Sequence, residues 1–276
     1  MTTAPTYQTL RVAIADGIAT VTIDHPPINL MDVAMIGDLA RLVDDLATDD
    51  AVRVVVIESA DPEFFIAHAD VGLIQQLPVP PPPRSETLSG FHAMLERWRR
   101  LDKPTIAKIA GRARGGGSEF ALALDMRFGA RGRTILAQPE VALGIIPGGG
   151  GTQNLPRAIG RARALEVILG AMDVDAETAE RWGYLNRALP PDELDAFVAT
   201  LAARIASFPP SAIAAAKASV DAGLADPTPG FVEEADRFNH SIADPEARAR
   251  MVAFLKAGGQ TREVERSLSA FTNDPE

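Results

Sequence analysis

The sequence predicts an α/β fold, with strands and helices alternating over the first two thirds and a helical last third. Three observations carry this prediction. Met35, Ile36, Leu39, Leu42, Val43 and Leu46 recur at helical spacing, and the β-branched run 52–57 follows them. An amphipathic helix leading into a strand buried on both faces is the pattern of an α/β layer. From Arg161 onward Ala, Glu and Arg dominate, with breaks at Pro209-Pro210 and at residues 227–230. The third observation is size: 276 residues, 46% of them hydrophobic, can bury roughly three quarters of the unfolded surface without cross-links.

The elements follow in order. Residues 7–14 and 18–24 read as strands joined at Asp16-Gly17, a dipeptide suited to a turn with φ > 0. Asp32 is placed to cap the first helix. Residues 77–84 hold Pro78 and Pro80 to Pro83, which excludes helix and central strand and predicts a stiff loop. A helix is expected over 85–101, then a strand over 105–110 after Pro104. Gly115 to Gly117 lead into a helix over 118–125, and strands are expected over 126–130 and 134–137. Residues 147–151 form a glycine-rich loop before another helix start. No internal repeat of fixed period is visible.

Composition removes several function classes. There is no cysteine, hence no disulfide framework, thiolate zinc site, iron–sulfur cluster or cysteine nucleophile. That usage fits a reducing compartment, and a cytoplasmic location is expected. Net charge is −10, a poor balance for binding polyanions. The densest basic cluster, Arg97, Arg99, Arg100 and Lys103, lies on a predicted helix, and no nucleic-acid partner is expected. No apolar run approaches the roughly 20 residues of a membrane span, and residues 1–7 lack the pattern of a signal peptide. No membrane partner is expected either.

The four histidines, His25, His68, His92 and His240, form no pair with metal-ligand spacing, so no metal site is expected. No Gly-x-Ser-x-Gly elbow occurs. The stretch from Gly111 to Ser118 looks like a phosphate loop, but Gly117 stands where that loop needs its lysine. Three segments remain. They are residues 64–70 (Phe-Phe-Ile-Ala-His-Ala-Asp), Gly115-Gly116-Gly117-Ser118-Glu119, and Gln138-Pro139-Glu140 followed by residues 143–148.

Glycines at a helix start leave backbone N–H groups bare in a field of partial positive charge. A carbonyl oxygen can approach closely there, which is the physical basis of an oxyanion hole. Close packing of helix on strand is the alternative use of such glycines. Glu119 and Glu140 each sit near a predicted helix start, where glutamate is also a plain capping choice. Brought together, they would share a water and trade protons with it, but spacing alone does not show that they meet.

Taken together, the three segments resemble the crotonase family, which includes enoyl-CoA hydratases and enoyl-CoA isomerases. The resemblance rests on Ala67-His68-Ala69-Asp70, on Gly115 to Glu119, on Gln138-Pro139-Glu140, and on Gly144 to Gln153 with its Ile-Pro-Gly core. It covers roughly residues 7–225. It implies a spiral of ββα turns over residues 1–205 and a helical C-terminal trimerisation region over 206–276, assembling as a homotrimer or hexamer. It also implies that the N–H groups of Ala69 and Gly116 form an oxyanion hole for a CoA thioester carbonyl. Glu119 and Glu140 would hold the water that adds to the enoyl double bond. Ala67, His68, Asp70 and Gly148 would border the substrate. Coenzyme A enters as part of the acyl-CoA substrate, so no separate cofactor is expected.

Both glutamates are present, which favours hydration over the double-bond shift of isomerases, whose pattern lacks the first. Other acyl-CoA chemistry, by lyase or hydrolase routes, and a non-catalytic scaffold or RNA-binding member are the alternatives. Some residues depart from the pattern. His68 replaces the usual glycine and either packs beside the channel or contacts substrate or cofactor. Asp70 is expected to shape its loop by hydrogen bonding. For the CoA phosphates, Lys256 is a candidate, with Arg99, Lys103 and Arg114 as alternatives that would otherwise be solvated. The proline-rich loop 78–83 is placed to border the acyl pocket.

Overall fold

Two residues with positive φ, Asp16 (52°) and Gly17 (79°), turn the chain between β1 (Leu10–Ala15) and β2 (Ile18–Ile23). This is the hairpin expected from the Asp-Gly dipeptide. The computed structural model describes residues 6–268. Most of the N-terminal stretch read for a signal peptide, and the end of the expected C-terminal region, lie outside the described residues.

After the hairpin, α1 (Val33–Thr48) starts at Asp32, whose carboxylate accepts the Met35 N–H at 2.9 Å. Three strand pairs then follow one plan. β3 (Val54–Ser59) is followed by β4 (Phe64–Ile66), β5 (Thr105–Ile109) by β6 (Arg112–Arg114), and β7 (Met126–Ala130) by β8 (Ile135–Ala137). Adding β9 (Val174–Asp175) and β10 (Arg187–Leu189) completes two sheets. The first strand of each pair joins a six-stranded sheet, β1-β2-β3-β5-β7-β10, parallel from β2 onward. The second joins a four-stranded sheet, β4-β6-β8-β9. Each turn of the chain therefore lays one strand in each sheet, which is the geometry of a spiral.

The helices between and after these strands are α2 (Val71–Ile74), α3 (Gly90–Arg99), α4 (Gly116–Ala123), α5 (Gly151–Ile159), α6 (Arg161–Gly170) and α7 (Ala176–Trp182). The C-terminal part adds α8 (Leu194–Ala206), α9 (Pro210–Ala222), α10 (Thr228–Ala243), α11 (Pro245–Lys256) and α12 (Arg262–Arg266). Proline sets the breaks before α9 and α10, as the sequence indicated.

Five elements differ from the sequence expectation. β4 and β6 lie in motif segments that show no alternation, because a three-residue strand is too short to display a period. β9 and β10 interrupt the region read as helical; two- and three-residue strands carry no pattern of their own and exist through their sheet neighbours. The third helix begins at Gly90, not at residue 85, because Ser89 caps it by accepting the His92 N–H.

The continuous apolar run of β3 has a clear cause. Val55 and Ile57 pack into the main core with α1, whereas Val54 and Val56 pack against Leu194, Val198 and Ala202 of α8. Both faces of the sheet are covered, so both sets of alternating side chains must be apolar. Trp98 of α3 is fully buried, donates its indole N–H to the Leu39 carbonyl at 3.1 Å, and meets Phe120 of α4 edge-on at 5.5 Å. The basic cluster is neutralised within the fold. Arg97 bonds Asp44, Arg99 and Arg100 bond Glu96, and Lys103 donates to the Leu46 and Asp49 carbonyls. Among the described residues, no single helix is long and apolar enough to cross a membrane.

The contact that positions the site is α4 on β4. A Cβ on Gly117 would overlap the Ile66 carbonyl oxygen, so the helix lies directly on the strand. Gly117→Ala is expected to cost about 1–3 kcal/mol through overpacking. Gly37→Ala in α1, where a Cβ meets nothing within 4 Å, should be neutral or stabilising by up to about 1 kcal/mol. Denaturant unfolding of the two variants checks the contrast.

Candidate active site

The three glycines before α4 do three different things. Gly115 has φ 45° and turns the chain; a Cβ there would lie 2.8 Å from Glu140 Oε1. Gly117 provides the close packing just described. Gly116 stands between them, and a Cβ there would lie 3.1 Å from Ala69 Cβ and 3.3 Å from Ala69 N. The backbones of Gly116 and Ala69 thus abut. Ala69 is held by a parallel bridge to Met31: the Met31 N–H donates to the His68 carbonyl at 2.9 Å, and the Asp70 N–H donates to the Met31 carbonyl at 3.0 Å. Among the described residues, neither the Ala69 nor the Gly116 N–H has a protein acceptor. Both residues line a cavity of about 290 Å³. Two adjacent N–H donors without an acceptor at a helix start are arranged to take an oxygen that gains negative charge.

Glu119 and Glu140 line the same cavity. Glu119, in the first turn of α4, is buried. Its Oε1 accepts the N–H groups of Gly149 and Gly151 at 2.7 and 2.9 Å. Burial first, and then the charge of Glu234, push its carboxyl up to about 8 against those two bonds. Glu140 is half-buried at the cavity wall, at the start of a 3₁₀ turn (Glu140–Leu143). Burial and then the Glu119 charge push its carboxyl well above the usual carboxylate range. In the orientation that satisfies its hydrogen bonds, the Gln138 amide donates to both Glu140 oxygens at 3.2 Å and accepts from Ser118. Two carboxyls raised in this way, each by burial and by a neighbouring carboxylate, can act as an acid and a base toward one molecule.

The loop that holds Glu119 also holds a residue that sequence reasoning missed. Glu234 of α10 accepts the Gly150 N–H at 2.5 Å, the Thr152 N–H at 2.8 Å and the Thr152 hydroxyl. Its Oε1 also lies 2.9 Å from His92 Nε2, and both side chains are buried. A glutamate between Phe231 and Phe238 on one helical face was the available signal.

The remaining expected site residues separate. Gly148 lines the cavity against Phe238, where a Cβ would lie 2.7 Å from the ring. Asp70 also borders the cavity, but its Oδ1 caps α2 at the Gly72 N–H and accepts the Gln260 amide, both within 2.9 Å. Ala67, expected at the substrate, does not reach the cavity; its N–H donates to the Ile28 carbonyl, and its side chain packs with Ile28 and Phe64. His68 is buried at the cavity wall and pairs with Glu265 of α12, an acid the sequence did not single out. The cavity includes Leu77 but not the proline loop 78–83. Of the candidate phosphate contacts, Arg114 is fully buried and fork-bonded to Asp173 at 2.7 Å, which removes it as a solvated cation. Arg99 and Lys103 are engaged in the fold, and Lys256 is exposed at the end of α11. Among the described residues, no group of three or more His, Asp or Glu side chains is placed to hold a metal ion.

Residues 13–260 match the family described as Enoyl-CoA hydratase/isomerase. The chain belongs to that family. The Short-chain-enoyl-CoA hydratase of Clostridium acetobutylicum is 30% identical over 247 residues, covering 87% of this chain and 91% of that protein. The Crotonyl-CoA hydratase of Syntrophomonas wolfei is 31% identical over 256 residues, covering 91% and 96%. A Streptomyces avermitilis protein of known crystal structure superposes with a TM-score of 0.89 at 42% identity, covering 98% of this chain and 99% of that one. As a member of the enoyl-CoA hydratase/isomerase family, the chain has the crotonase fold that its motifs implied.

The raised Glu119 carboxyl has a consequence for stability. Its proton is held more tightly in the folded state (about 8) than in the unfolded chain (4.5). Its contribution is therefore fully present below pH 4.5 and declines as pH rises through about 8. Glu119→Gln cannot ionise, so its melting temperature should rise relative to the wild type across that window. Parallel melting curves at every pH would show that Glu119 is not a buried acid.

Proposed function

We propose that the protein hydrates a 2-enoyl-CoA thioester to the 3-hydroxyacyl-CoA. One observation carries this reading: two carboxyls with raised pKa values share one cavity with two N–H groups that, among the described residues, lack a protein acceptor. The thioester oxygen accepts the N–H groups of Ala69 and Gly116. A water held by Glu119 and Glu140 adds to C3, one carboxylate taking its proton, while the other carboxyl group delivers a proton to C2. Negative charge accumulates on the thioester oxygen, where the two N–H groups already point their partial positive charge. Because Oε1 of Glu119 is occupied by two N–H bonds, its proton is carried on Oε2.

The chemistry draws on side chains and backbone alone, with coenzyme A carried by the substrate, and turnover should be unaffected by a chelator. Two relatives named as hydratases, at about 30% identity, support hydration over double-bond isomerisation. A cytoplasmic location is part of the same reading. So is a homotrimer or hexamer: α9 has no buried residue, and Leu169, Met172, Val220 and Leu224 are exposed apolar side chains, all 58% exposed or more. Light scattering that finds only monomer would contradict the assembly.

Loss of the enoyl-thioester absorbance of crotonyl-CoA tests the reaction. Glu119→Gln and Glu140→Gln should each lower the rate roughly 10²–10⁴-fold. Gly116→Pro, which deletes an N–H donor worth about 10²–10³ in rate, should abolish detectable turnover. Near-normal rates in either glutamine variant would defeat the two-carboxyl mechanism. Conversion of a 3-enoyl-CoA that survives Glu119→Gln would point to an isomerase.

A further inference from the structure

His68 occupies the position where the motif usually has glycine, and the hydration mechanism leaves its side chain unused. The ring is buried, and both its nitrogens face oxygen atoms. Nδ1 lies 2.8 Å from the Ala69 carbonyl oxygen, which can only accept. Nε2 lies 2.9 Å from Glu265 Oε1, which already accepts the Gln260 N–H at 2.9 Å. A hydrogen on each ring nitrogen satisfies both contacts, and that species is the imidazolium. Burial opposes charging the ring, but the Glu265 charge and hydrogen bond outweigh it and hold His68 above its usual value. The same partnership holds Glu265 below the usual carboxylate range in spite of its burial. Arg114, paired with Asp173, is a further charge acting on the ring, and Glu140 Oε1 and His68 Cβ both lie against Gly115.

The ring bonds to the residue that carries one of the two oxyanion donors. The peptide joining His68 to Ala69 is fixed at its carbonyl by the Met31 N–H. The ring fixes the next carbonyl, that of Ala69, and among the described residues the Ala69 N–H between them has no protein acceptor. Glu265, which orients the ring, belongs to α12, 197 residues further along the chain. That helix is fastened in place. Arg262 bonds Asp61 and Glu63, Arg266 bonds Glu63 at 2.6 Å, and Arg114 donates to the Glu265 carbonyl at 2.7 Å.

We propose that His68, held as a cation by Glu265, is a positioning residue for the Ala69 N–H, so that the C-terminal helix sets the geometry and local charge of the oxyanion site. The proposal rests on the oxyanion role given above to Ala69, but not on the nature of the reaction. A buried cation next to this donor favours any substrate state with charge on the thioester oxygen, because a dry site screens it little. A glycine in place of His68 would leave the Glu265 carboxylate buried without its partner, which explains why the two residues occur together here.

The test separates these roles. Acetoacetyl-CoA bound to an oxyanion hole loses its C2 proton to solvent, and its enolate absorbs where the keto form does not. The wild-type protein should raise the enolate fraction of bound acetoacetyl-CoA. Glu265→Gln, isosteric but uncharged, should lower the bound enolate-to-keto ratio about tenfold while ligand affinity changes little. His68→Gln should do the same. In ¹⁵N spectra of the full chain labelled at histidine, the His68 ring should keep both nitrogens protonated above the pH at which a free histidine loses its proton, and become a neutral tautomer in Glu265→Gln. A neutral His68 ring in the wild type, or an unchanged enolate ratio in both variants, overturns the proposal. Absence of any enolate in the wild type overturns it together with the oxyanion assignment. Enolisation without hydration of crotonyl-CoA defeats the hydratase reading alone.

Discussion

The molecule is organised around the need to keep acids dry without leaving them unpartnered. Glu119 and Glu234 arrive from helices far apart in sequence, and both end on the N–H groups of residues 149–152. A buried carboxyl without donors is costly, so that loop must stay where it is. The loop is nearly all glycine because the acids and rings around it leave no room: a Cβ at Gly149 would lie 2.5 Å from the Phe91 ring and 2.6 Å from Glu119 Oε2. Once the loop is placed, α10 is tied down through Glu234 and His92, and with Phe238 it walls the cavity.

This arrangement also shapes the chemistry. Each N–H given to Glu119 opposes the effect of burial, and the nearby Glu234 charge reinforces burial. The balance leaves a carboxyl able to hold or release a proton near neutral pH, which is what a group that both receives and donates protons requires. The proposed oxyanion side is built differently. It uses no side-chain donor, only two peptide N–H groups brought together by the contact of α4 with β4 and by the Met31 bridge. Backbone donors fixed in this way need no reorganisation as charge develops. Two buried His–Glu pairs, His68–Glu265 and His92–Glu234, stand beside the site.

Much of the architecture could be read from the chain itself. The hairpin at Asp16-Gly17, the cap at Asp32, the doubly buried β3 and the proline breaks before α9 and α10 depend on neighbours a few residues apart. Conformational preference and periodicity act over that same range, so these elements are legible locally. The glycine triplet and the positions of Glu119 and Glu140 were legible too, through motifs in register. The short strands of the second sheet were not, since three residues display no period and owe their conformation to pairing.

What the sequence by itself determined was the α/β class, the family, and the segments from which the candidate site is built. Tertiary structure alone decided which of them meet. It placed Ala67 in packing and left Ala69 and Gly116 side by side. It turned Arg114 inward to Asp173 and brought in Glu234, His92 and Glu265, whose partners lie in distant segments. The physical reason is range. Helix caps and turns are settled by bonds to near neighbours, whereas a buried acid acquires its proton affinity and its partners only when distant segments exclude water around it.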